Sequence, residues 1–117
     1  MSGTVYEIVK ESQKAGLKAV RPQKTCASVD DACRKIITEH SYGPHFIHST
    51  GHGIGLNVHE NPNISGKSKE KLKKDMAITV EPGIYIPKKF GVRIEDSLIV
   101  KDRAAVMHKF TKDLIVI

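Results

Sequence analysis

The 117-residue sequence has no tryptophan, only two cysteines, and aromatic side chains at 5% of its positions. It contains no apolar run of membrane-spanning length, and its N-terminus lacks the basic-then-apolar pattern of a signal peptide. Two cysteines without a secretory signal are typical of reduced thiols rather than of a disulfide framework. These absences predict a soluble cytoplasmic protein with no membrane partner. The length predicts a single domain, residues 1–117.

The charge balance is positive, at +6, from 19 Lys and Arg against 13 Asp and Glu. Such a balance is one mark of proteins that bind nucleic acid. The excess is concentrated in residues 67–74, a segment without an aromatic side chain that could stack on a base. A solvated loop is therefore favoured over a nucleic-acid partner.

Three histidines recur among glycines between His45 and Pro62. Neutral imidazole is the commonest protein metal ligand, and glycine lets the backbone approach another group closely. A strand interrupted by glycines has few side chains to pack in a core. The pattern indicates a functional site to which the imidazole side chains point. The alternative is an ordinary β-bulge with histidines on the surface. The three histidines are His48, His52 and His59.

Hydrophobic periodicity predicts a first helix that starts at Thr4 and stops before the proline at position 22. A second helix is predicted to start at Ser28, with Asp30 and Asp31 in its first turn. Carboxylates there interact favourably with the positive end of the helix dipole. Capping alone explains both aspartates, and we assign neither to a metal.

Strand patterns follow the two helices, over residues 76–86, 92–100 and 114–117, with a break at residues 82–83. Two helices followed by a mainly antiparallel sheet is an α+β arrangement. Glu81 and Glu95 lie in these apolar strand sequences. A carboxylate facing the interior is costly unless it is paired or bound to metal. The alternation leaves open that both point outward.

Three segments, in order, resemble the signature of the pita-bread metallopeptidases, which are the methionine aminopeptidases, Xaa-Pro aminopeptidases and Xaa-Pro dipeptidases. The segments are HSTGHGIGLNVHENP at 48–62, ITVEPGIY at 78–85 and GVRIED at 91–96. The first resembles the proline-specific branch more than the methionine branch. The resemblance implies hydrolysis of peptides with proline at the second position, by a dipeptidase or an aminopeptidase. The alternative is a non-catalytic binding or scaffold protein that keeps the fold.

The resemblance also implies a dinuclear site for Mn, Co or Zn, held by two aspartates, one histidine and two glutamates. His52, Glu81 and Glu95 match the last three ligands. Of the other residues, His59 would stabilise the tetrahedral intermediate and His48 would line the side of the leaving residue. A carboxylate or a substrate terminus near the metals would be held by Arg93 and, as a weaker match, Tyr85.

The family's two aspartate ligands lie on a hairpin before the first helix, and this sequence opens almost directly on that helix. Asp102 and Asp113 follow Glu95 and lie in the wrong segment. The resemblance therefore implies the C-terminal half of a catalytic domain, the second half of a pita-bread fold. Glu81 and Glu95 balance one divalent ion. We expect at most one weakly held ion, no activity of this polypeptide alone, and self-association or pairing with the N-terminal half.

Overall fold

The computed structural model describes residues 2–54 and 62–116, and side chains within 4–54 and 62–106. Two α-helices precede a set of β-strands, with a 3₁₀ turn at Gly43–His45 between them. In chain order the elements are α1 (Ser2–Ala19), α2 (Cys26–Glu39), β1 (Gly51–His52), β2 (Asn63–Ile64), β3 (Ala77–Val80), β4 (Gly83–Ile86), β5 (Phe90–Val100) and β6 (Ala104–Val116). The predicted α+β class is confirmed.

Both helices start earlier than predicted. Helix α1 begins at Ser2 rather than at Thr4. Helix α2 begins at Cys26, and the hydroxyl of its N-cap, Thr25, accepts a hydrogen bond from the Ser28 amide at 3.2 Å. Because Ser28 lies inside the helix, no acidic residue remains in the first turn. The dipole explanation for Asp30 and its neighbour is therefore wrong.

Strand β5 is the centre of an antiparallel sheet, since it pairs with β3, β4 and β6. Strands β3 and β4 share one edge of β5 at its two ends, which confirms the predicted break at residues 82–83. Strand β6 is much longer than the predicted strand at 114–117. Its pairing with β5 shifts register between Arg93 and Glu95 and between Ser97 and Leu98. Such shifts break the alternation by which a strand is recognised in a sequence.

One face of the sheet packs against the helices, and this layer forms the core. Alternate residues of β5 point into it, and the buried carboxyl of Asp96 among them accepts a hydrogen bond from Gln13 of α1. The aliphatic members of this layer are Val9, Val29, Ile37, Ile78, Val80, Val92, Ile94, Leu98 and Val100. The intervening residues of β5, which include Arg93 and Glu95, lie on the other face.

The two cysteines are free thiols, as predicted, and both are buried on α2. Burial raises the pKa of the Cys33 thiol to about 12, and it also raises that of Cys26. A buried thiol of raised pKa is unreactive, so neither cysteine is a candidate nucleophile. No helix in the described part of the chain is long and apolar enough to cross a membrane.

Candidate metal centre

A glycine brings the histidine segment against the sheet. An ideal Cβ placed on Gly51 would lie 1.9 Å from the carbonyl oxygen of Thr79, so β1 reaches this position only because Gly51 has no side chain. The amide of His52 then donates to the Thr79 hydroxyl at 3.1 Å. The amide of Glu81 donates to the Thr50 carbonyl at 2.6 Å. These contacts place His52 beside Glu81.

The side chains of His52 and Glu81 face each other, with Nε2 of the imidazole 3.8 Å from Oε2 of the carboxylate. Nδ1 of His52 lies 2.8 Å from the Gly53 carbonyl oxygen. Because a carbonyl oxygen can only accept, Nδ1 carries a hydrogen, and Nε2 has a lone pair when the ring is neutral. Glu81 is 17% exposed and His52 is 45% exposed. Two electron-pair donors therefore face each other at a half-buried position suited to a cation.

Glu95 lies on the neighbouring strand. Val80 pairs with Asp96 across β3 and β5, so Glu81 and Glu95 are the next residues along the two antiparallel strands. Glu95 is 26% exposed, and its Oε1 lies 3.9 Å from Nε of Arg93. The Arg93 guanidinium therefore adds positive charge beside this carboxylate.

Of the predicted site residues, the structure brings together two pairs, His52 with Glu81 and Arg93 with Glu95. Within residues 2–54 and 62–116, no three His, Cys, Asp or Glu side chains form a group that could hold a metal ion. His59, predicted to be catalytic, lies outside the described residues.

His48 contacts Tyr85 rather than the His52–Glu81 pair. Nε2 of His48 lies 2.8 Å from the Tyr85 hydroxyl, and Nδ1 lies 2.8 Å from the Ser49 carbonyl oxygen. Since Nδ1 must donate to that carbonyl, the tyrosine hydroxyl donates to Nε2 of the neutral ring. Tyr85 lies over Gly91, where an added Cβ would meet its ring at 2.5 Å. The Ser49 carbonyl therefore fixes the tautomer of His48, and Tyr85 holds the orientation of its ring.

Sequence reasoning missed three residues behind the histidine segment. The carboxylate of Asp30 is fully buried and binds Arg34, at 3.0 and 3.1 Å, and the Thr50 hydroxyl, at 2.8 Å. Two features of the sequence could have indicated this group. Asp30 falls on the apolar stripe of α2, and Arg34 follows it at the i+4 spacing of helical ion pairs.

A comparison with known families identifies the chain as a member of a metallopeptidase family. Residues 2–102 match the family model described as Metallopeptidase family M24. Because the match covers most of the 117 residues, the chain belongs to this family. The predicted family and its pita-bread fold are confirmed.

Several of the relatives are named as proline-specific peptidases. The chain is 50% identical to the Xaa-Pro dipeptidase of Pyrococcus furiosus over 101 residues, which are 86% of this chain and 29% of that protein. A solved structure of the Xaa-Pro dipeptidase from Bacillus anthracis matches 99% of this chain with 45% identity and a TM-score of 0.90. The X-Pro aminopeptidase from Thermotoga maritima also matches 99% of it, with 38% identity and a TM-score of 0.90. The chain spans about a third of the length of both structures.

Proposed function

We propose that this chain supplies part of the metal centre of an exopeptidase that hydrolyses Xaa-Pro peptide bonds, as the C-terminal half of its catalytic domain. One observation carries the proposal. Nε2 of His52 lies 3.8 Å from a carboxylate oxygen of Glu81, while Nδ1 lies 2.8 Å from the Gly53 carbonyl oxygen. Only a proton or a metal ion placed between two such groups makes their approach favourable.

The donor set fits a divalent ion. Zinc binds imidazole nitrogen at about 2.0–2.1 Å and carboxylate oxygen at about 2.0–2.2 Å, so two such ligands of one ion lie at most about 4.3 Å apart. The observed 3.8 Å falls within that limit. Histidines that bind metal usually donate a hydrogen bond from their other ring nitrogen to a carbonyl or a carboxylate. Nδ1 of His52 makes such a bond to the Gly53 carbonyl. His52 and Glu81 would hold the ion, and Glu95 on the adjacent strand would be the next ligand.

When bound, divalent ions supply an activated water and polarise the scissile carbonyl. The residues around them would bind and orient the peptide. Arg93 would hold a carboxylate of the site or of the substrate. The fixed His48 ring would line the side of the leaving residue. His59 would stabilise the charge of the tetrahedral intermediate.

The number of carboxylates in the site limits how many divalent ions residues 1–117 can bind. Glu81 and Glu95 together balance one divalent ion, whereas a dinuclear centre of Mn, Co or Zn needs two more negative charges. We therefore propose a single weakly bound ion in this polypeptide. The two-metal form requires the family's two aspartates from the N-terminal half of the domain.

Calorimetric titration with Mn²⁺ or Zn²⁺ tests the proposal. We expect at most one ion per chain at this site, with binding lost in His52→Ala and in Glu81→Gln. Asp75→Asn is the matched control, because it removes an exposed carboxylate that is paired with Lys101 outside the site. Binding of equal strength in all four proteins would contradict the proposal, and so would two tight ions on these residues.

A further inference from the structure

We propose that Asp30 and Arg34 of α2 are positioning residues for the candidate metal centre, acting through Thr50 and through the backbone of His48. We call Asp30, Arg34 and Thr50 the α2 clamp. The functional part of this inference depends on the proposed function. The structural part stands on the contacts of the clamp alone.

Asp30 is the fixed point of the α2 clamp. Its side chain is completely buried, and a buried carboxylate is tolerated only when it is paired and hydrogen-bonded. Arg34 donates to both carboxylate oxygens from Nε and Nη2, and the Thr50 hydroxyl donates to Oδ1. Thr50 lies two residues before His52. The carboxylate thereby ties the start of β1 to a rigid helix.

Arg34 also holds the segment that leads to Thr50. Its Nη1 donates to the Phe46 carbonyl at 3.0 Å, and its Nη2 donates to the His48 carbonyl at 3.1 Å. The guanidinium lies 4.0 Å from the centre of the Phe46 ring, a favourable cation–π distance. The planar guanidinium group of Arg34 thus binds one carboxylate and two carbonyl groups. A lysine ammonium cannot reproduce that set of contacts.

The residues of the α2 clamp and the segment they hold are bonded directly to residues of the candidate site. Thr50 is bound to Asp30 by its side chain, and its carbonyl accepts the amide of Glu81 at 2.6 Å. The His48 carbonyl is held by Arg34, and its ring is held by Tyr85. Because the limit for two donors sharing one ion is about 4.3 Å, the 3.8 Å separation of His52 and Glu81 leaves little room for them to move apart. Loosening the α2 clamp should therefore weaken metal binding without removing a ligand.

The test compares Arg34→Lys and Thr50→Val with two controls. Thr50→Ser keeps the hydroxyl that binds Asp30 and should behave as wild type. Ile37→Val trims a fully buried side chain of the same helix that takes no part in the clamp. Two quantities are measured, namely amide hydrogen exchange at residues 50–53 in the metal-free chain, and Zn²⁺ affinity by calorimetry.

We expect Arg34→Lys and Thr50→Val to speed exchange at residues 50–53 relative to α1. We also expect both to lower Zn²⁺ affinity about tenfold or more, as removal of outer-shell partners typically does. Thr50→Ser and Ile37→Val should leave both quantities near wild type, after correction for any general loss of stability. If Arg34→Lys and Thr50→Val lower the melting temperature but leave exchange and affinity like those of Ile37→Val, the clamp is only structural and the inference is wrong. If the wild-type chain binds no Zn²⁺, the proposed function fails. The exchange measurement alone then decides whether the α2 clamp holds residues 50–53 in place.

Discussion

Replacing Gly51 with alanine should separate β1 from β3 and thereby disrupt the candidate metal centre. None of the glycines in the described part of the chain has a positive φ, so alanine at this position faces no backbone restriction. The obstacle is steric, because the added Cβ would lie 1.9 Å from the Thr79 carbonyl oxygen and 3.0 Å from its hydroxyl oxygen. Ordinary contact begins at 3.4 Å. The two backbones must therefore move apart by about 1.5 Å, the difference between these distances.

The cost follows from the bonds that cross this contact. A separation of that size breaks the hydrogen bonds from the His52 amide to Thr79 and from the Glu81 amide to Thr50, each worth about 1 kcal/mol. Overpacking adds about 1–3 kcal/mol. We expect a loss of about 3–5 kcal/mol in the free energy of unfolding. For a chain of this size that corresponds to a fall in Tm of roughly 10–20 °C.

Thermal unfolding followed by circular dichroism measures the stability, and calorimetry measures Zn²⁺ binding, which should be lost below the melting temperature of the variant. Gly43→Ala is the control. Its added Cβ would meet the exposed Thr38 side chain, with the hydroxyl at 3.0 Å, and that side chain can rotate away. A Gly51→Ala protein as stable as Gly43→Ala, with unchanged Zn²⁺ affinity, would refute the idea that this close approach sets the site.

Three further outcomes are expected. The free energy of unfolding should fall between pH 9 and pH 12, by up to about 1.4 kcal/mol per pH unit. The reason is that the Cys33 thiol ionises near pH 9 when unfolded but near 12 when folded, so its contribution to stability is fully present below pH 9. The Cys33→Ala variant should lack this part of the pH dependence. The polypeptide of residues 1–117 with Mn²⁺ should not hydrolyse an Xaa-Pro dipeptide, and turnover abolished by His59→Ala would show this to be wrong. Sedimentation at micromolar concentration should reveal a dimer, because the half-domain proposed above would leave apolar surface uncovered, to which Ile47, Ile54 and Val106, exposed by 71, 42 and 39%, would contribute; a stable monomer would contradict this.

The residues of the candidate site could be proposed from the sequence because they are concentrated in short segments. The glycines around His52 and the alternation on β5 indicated where side chains meet the sheet. Glu81 and Glu95 were recognised by the segments that carry them. A pattern does not give distances, however. The sequence did not reveal that His52 faces Glu81 or that Tyr85 fixes His48, because each contact joins residues that are far apart in the chain.

The features that were missed depend on long-range contacts or on ambiguous caps. Ser28 and Thr25 are both good N-caps, and choosing Ser28 placed Asp30 in the first turn, where the helix dipole gave it a sufficient explanation. Because Thr25 is the cap, Asp30 lies beyond the first turn, and on the buried face of the helix it binds Arg34 and the Thr50 hydroxyl. Strand β6 was shortened in the prediction because its register shifts against β5 hide the alternation.

The central claim is that Nε2 of His52 and the carboxylate of Glu81 bind one metal ion together. Nitrogen-15 NMR of the imidazole rings during a Zn²⁺ titration tests it most directly. We predict that Zn²⁺ shifts the Nε2 resonance of His52, while Nδ1 stays protonated on the Gly53 carbonyl, and that Glu81→Gln removes the shift. Zn²⁺ binding that leaves the His52 ring unchanged, or that shifts Nδ1 instead, would contradict the claim.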